Sequence, residues 1–80
     1  MSDTAEDVLH YLVSQIVENP DEVDIEVHTE GDRVVLTARV ASGDMGRVIG
    51  KRGRVARSIR TLVRAAAAKD GLTAEVEFDG

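Results

Sequence analysis

Gly46-Arg47-Val48-Ile49-Gly50-Lys51-Arg52-Gly53-Arg54 is the stretch on which the reading of this chain turns. Three glycines fall within eight residues, four bases are interleaved with them, and no acid interrupts the run. Glycine adopts backbone angles that other residues resist and carries no Cβ to obstruct a ligand. A loop of this kind between two helices opens onto the start of the second helix. There the first N–H groups lack intrahelical partners and the dipole favours negative charge. Lys51 and Arg52 would add mobile positive charge over the same place. The stretch therefore reads as a clamp for a phosphate backbone, against the plainer reading of a helix-helix turn with a glycine at each end.

The flanking sequence supplies the two helices and the rest of the fold. Downstream, Val55, Ile59, Leu62, Val63 and Ala66 repeat at helical spacing and predict a helix over about 54–69, closed by Asp70-Gly71. Arg57, Arg60 and Arg64 fall opposite that stripe, and Arg54 lies toward the shared edge near the loop. Upstream, Ala41-Ser42-Gly43-Asp44 breaks a strand and offers Ser42 or Asp44 as the cap of a short helix over roughly 44–49. Val8, Leu9, Leu12, Val13, Ile16 and Val17 form the apolar stripe of a first helix, with Thr4 and Asp7 as its N-terminal cap arrangement and Asn19-Pro20 as its end. Val23, Ile25 and Val27 then alternate inward against Asp24, Glu26 and His28. After a turn at Thr29–Asp32, Arg33 to Val40 resumes with Val34, Leu36, Ala38 and Val40 inward, which implies an antiparallel hairpin. A last strand over Leu72 to Phe78 turns Leu72, Ala74, Val76 and Phe78 to the core.

The order is α-β-β-α-α-β. Because the last strand is reached through two helices, it should lie parallel to its neighbour. The expected fold class is α+β, a three-stranded mixed sheet with three helices packed on one face.

Eighty residues hold one domain, over 1–80. The net charge of −5 argues at first against a nucleic-acid partner, but its distribution reverses that impression. Residues 1–44 carry a net −9, residues 45–69 a net +8 with no acid at all, and residues 70–80 a net −4. One basic stretch on an acidic body concentrates positive potential at one site and repels polyanions elsewhere. Cysteine is absent, which excludes disulfides and thiolate metal sites. No apolar run approaches the ~20 residues of a membrane span, and the acidic start is unlike a signal peptide. A cytoplasmic protein without membrane association is expected.

Val48-Ile49-Gly50-Lys51-Arg52-Gly53 resembles the Ile-Gly-x-x-Gly signature of KH domains, with bases at both variable positions. The resemblance extends over essentially the whole chain, with residues 33–78 matching the minimal β-α-α-β core. The added first helix and strand make the layout similar to the type II, bacterial KH fold, and more narrowly to the small stand-alone KhpA family. The resemblance implies a loop that grips about four nucleotides of a single strand by the backbone, with bases in a groove beside it. It also implies Val48 and Ile49 in the groove floor or the core beneath. The implied RNA-binding residues are Arg47, Val48, Ile49, Gly50, Lys51, Arg52, Gly53, Arg54 and Arg57. Implied partners are single-stranded RNA and, through a homodimer or heterodimer, another KH-containing protein.

Other chemistries find little to build on. A Walker A loop needs glycine at position 45 and Ser or Thr at 52, where Met45 and Arg52 stand. A sheet that reads RNA by stacking needs aromatics on its strands, and Tyr11 and Phe78 are the only aromatic residues. His10 and His28 lie on different elements, and Ser58 has no base nearby in sequence. A non-catalytic RNA binder without cofactor is expected, acting as an RNA chaperone or post-transcriptional regulator. The alternative is a protein-interaction module built on a KH scaffold.

Overall fold

Helix α1 runs Thr4–Ile16 and buries Ala5, Leu9 and Val13 on one stripe, with Glu6 and Asp7 in the first turn, where the helix dipole favours acids. Thr4 is itself helical, in the same first turn as Asp7. The computed structural model describes residues 4–80, and the first three residues of the expected domain lie outside the described residues. A 3-10 turn at Pro20–Glu22 leads into β1, Asp24–Glu30. Strand β2, Arg33–Arg39, pairs antiparallel with β1 from Glu30↔Arg33 to Asp24↔Arg39, so the turn narrows to Gly31-Asp32. A second 3-10 turn, Ser42–Asp44, precedes the short helix α2, Met45–Ile49. The glycine loop follows, then α3 over Arg54–Lys69 and β3 over Thr73–Asp79.

The sheet order is β1-β2-β3, and β3 pairs with β2 in parallel with Leu36 opposite Val76. The expected α+β class and its mixed three-stranded sheet are therefore both present. Leu9 and Val13 of α1, Val34, Leu36 and Ala38 of β2, Ile59, Val63 and Ala67 of α3 and Ala74 and Val76 of β3 form one core between the helical layer and the sheet. Each fully buried Leu, Val or Ile contributes about 1.5–3 kcal/mol relative to its exposed state.

Two inward assignments need correction. Val27 is 41% exposed because β1 is an edge strand, and Ile25 is only half-buried beside it. Leu62 is 52% exposed, while Ala56 and Ala67 take the buried positions of α3. Small side chains allow that helix to approach the sheet and α1 closely, which turns the stripe away from Leu62.

Candidate nucleic-acid interface

Helix α2 stops because Gly50 takes φ 74° and ψ 175°, a conformation essentially closed to residues with a Cβ. Its N–H still closes the helix onto the Gly46 carbonyl at 2.9 Å. Lys51–Gly53 form a 3-10 turn with Arg52 at φ 59° and ψ 26° and Gly53 at φ 72° and ψ 15°, both left-handed. Arg52 is the one non-glycine residue with positive φ among the described residues. The Gly53 N–H donates to the Gly50 carbonyl at 3.1 Å, and the Arg54 N–H to the Lys51 carbonyl. These amides at the start of α3 are consequently turned back into the loop, contrary to the expectation that they stand unpaired.

Lys51, Arg52 and Arg54 are exposed, and no acid lies within ion-pairing distance of them among the described residues. Arg57 is exposed too, but its Nη2 donates to the Arg52 carbonyl at 3.0 Å, bracing the left-handed residue from one turn up α3. Ile49 and Gly53 are half-buried beside the loop. Val48 is fully buried and belongs to the core, so its side chain supports the loop from below and forms no groove floor.

Arg47 is held away from full availability. Its Nη2 lies 2.9 Å from Glu18 Oε2, and its Nε 3.8 Å from Asp44 Oδ1. Asp44 is the buried charged residue of the described chain, at 1% exposure. It does not cap α2, as its position suggested. Its carboxylate accepts instead from the N–H groups of Glu18 and Asn19, both at 3.1 Å, and from Asn19 Nδ2 at 3.0 Å. Burial pushes its pKa up, but the Glu18 N–H, the Asn19 side chain and N–H and the Arg47 charge together outweigh that and hold it below the ordinary carboxylate value. The carboxylate thus ties the end of α1 to the start of α2 and fixes the ground on which the loop stands.

With this geometry in view, the profile of one family, described as KhpA/KhpB, KH domain, matches residues 6–78. This chain belongs to the KhpA/KhpB KH-domain family. It is 41% identical over 71 residues to an RNA-binding protein KhpA of Clostridium acetobutylicum, covering 89% of this chain and 95% of that one. A KhpA of Caldanaerobacter subterraneus subsp. tengcongensis is 44% identical over 68 residues, 84% and 89% of the two chains. A KhpA of Streptomyces coelicolor is 45% identical over 60 residues, 75% and 76% of the two.

The far side of this KH domain is unlike the loop side. Asp24, Glu26, Glu30, Glu75, Glu77 and Asp79 share the helix-free face of the sheet, as the strand registers require. Arg33 pairs there with Glu75, and Arg39 with Glu26 at 2.7 Å and Asp79 at 3.4 Å. Such exposed pairs contribute little stability, about 0–1 kcal/mol each, but they leave an acidic surface. Among the described residues no cluster of His, Asp and Glu could hold a metal ion, and no helix is long and apolar enough to cross a membrane. Sequence reading missed the Asp44 tie and the Arg57 brace. Periodicity places a residue on a face and carries no signal for which distant backbone group its side chain meets.

Proposed function

We propose that this KH domain binds single-stranded RNA without catalysis, the loop Gly50–Gly53 gripping the backbone, in the service of RNA chaperoning or post-transcriptional regulation. The observation that carries the reading is the loop itself. Two exposed bases, Lys51 and Arg52, stand without acid partners among the described residues, on a turn whose left-handed residue is braced by Arg57. A braced loop presents its charge with little ordering cost on binding. The names of the related KhpA proteins support RNA as the ligand. In this reading Lys51, Arg52 and Arg54 meet phosphates, Ile49 and Gly53 line the approach, and Arg47 and Arg57 shape the loop and its field.

A second reading, a module that pairs with another KH-containing chain, draws on a separate feature. Leu12, Ile16, Val55, Ile59 and Leu62 line an apolar groove of about 320 Å³ between α1 and α3, with Arg54 and Ser58 at its margin. One double variant separates the readings. Lys51→Asp with Arg52→Asp should leave the melting profile close to wild type, since both side chains are exposed, and should abolish binding to a short single-stranded RNA measured by fluorescence anisotropy. Unchanged RNA affinity would move the function to the pairing module.

A further inference from the structure

Helical spacing puts Arg60 opposite the apolar stripe of α3, with Arg57 and Arg64. Its actual place is different. Val40 donates its N–H to the Asp79 carbonyl, so the alternate residues Val76 and Phe78 point their backbone groups away from β2, toward the open edge of β3. Arg60 reaches across and donates from Nε to the Val76 carbonyl at 3.1 Å. Its guanidinium also lies over the Phe78 ring, with Cζ 5.2 Å from the ring centroid. No acid pairs with it among the described residues.

Arg60 is therefore restrained twice, at Nε by the Val76 carbonyl and at Cζ by the Phe78 ring. Its Nη donors are not committed to an acid among the described residues. Both α2 and α3 contact β3, so the edge of β3 that Arg60 reaches runs beside the helices that flank the loop. Arg60 lies seven residues beyond Gly53, within about 20° of the same side of α3 and about 10 Å along its axis. Four nucleotides stacked at about 3.4 Å each span that distance.

We propose that Arg60, pinned on Phe78, is the base-stacking platform of this domain: a nucleobase of the strand gripped by Gly50–Gly53 stacks on the free face of the guanidinium. Arginine suits the task because its fork is planar and weakly hydrated, and unstacked RNA bases pack on guanidinium planes as they do on aromatic rings. Lysine would supply the charge without the plane. Phe78 sets the tilt of the guanidinium and so acts as a positioning residue. This inference rests on the RNA-binding reading above and adds to it the place where a base is held.

The test compares an intact single-stranded RNA with a series of strands of the same length, each abasic at one position. Wild-type protein should bind the intact strand at least about fivefold more tightly than the strand abasic at the sensitive position. Arg60→Lys should bring that ratio close to one, and so should Phe78→Leu, which keeps an apolar side chain under the guanidinium. Circular dichroism melts show which variants are folded at the assay temperature, and either folded variant carries the test. A ratio in Arg60→Lys or Phe78→Leu equal to that of wild type would overturn the platform, as would a wild-type ratio of one at every position. In both cases the backbone grip would still stand on its own double variant. Failure of the wild type to bind any of these strands would instead remove the RNA-binding reading itself.

Discussion

Gly50 and Gly53 share a positive φ, but different surroundings enforce it. A Cβ built on Gly50 would lie 2.7 Å from the Val55 Cβ and 3.0 Å from the Val55 backbone nitrogen, contacts that the first turn of α3 cannot relieve. A Cβ on Gly53 would meet nothing within 4 Å. Gly53→Ala therefore costs only the left-handed conformation, about 1 kcal/mol. Gly50→Ala adds overpacking to a conformation reserved for glycine and should cost about 3 kcal/mol. Urea unfolding of the two variants checks this difference, and equal losses would show that the Val55 contact does not constrain the loop. Arg52 occupies the same left-handed region without being glycine. That strain, of order 1 kcal/mol, is held in place by the Arg57 bond to its carbonyl and keeps the side chain on the exposed side of the turn.

Between elements, the Asp44 carboxylate is the joint to test. Its folded-state pKa is depressed, so its stabilisation is fully present above the ordinary carboxylate value and is lost as pH falls through the lower folded value. Asp44→Asn removes one acceptor oxygen and turns an amide toward backbone donors. The variant should melt several degrees below wild type at neutral pH, and the gap should close on acidification below about pH 4. A constant gap across that range, read by circular dichroism, would assign the loss to packing rather than charge. The same joint marks where the sequence stops being legible. The order of elements, the hairpin and the parallel third strand follow from alternation, helical spacing and the crossover rule. The loop and its two exposed bases follow from glycine and charge. The partner of Asp44, the exposure of Leu62 and the folding of Arg60 onto β3 depend on how closely separate elements approach, through residues such as Ala56 and Ala67, and local spacing holds no record of that distance.

Across the molecule, charge is divided by face as well as by sequence: the helix-free sheet surface gathers acids, and the basic run of 45–69 surrounds the loop. Not all of that positive charge is equally available. Arg47 is shared between Glu18 and Asp44, and Arg60 is tied to β3, whereas Lys51, Arg52 and Arg54 have no acid within ion-pairing distance among the described residues. Three neutralised phosphates predict that log affinity for single-stranded RNA falls against log salt with a slope of about −2, at about 0.7 per phosphate. Lys51→Ala should flatten the slope by about 0.7. Glu77→Gln, on the acidic sheet face, should leave it unchanged, because screening confines the influence of a distant exposed charge. Anisotropy titrations at four or more salt concentrations give these slopes directly. A slope near zero would remove the electrostatic grip. A slope of about −4 would instead place Arg57, Arg60 and Arg64 on phosphates as well, carrying the strand along the whole of α3 rather than across the loop and into the angle beside β3.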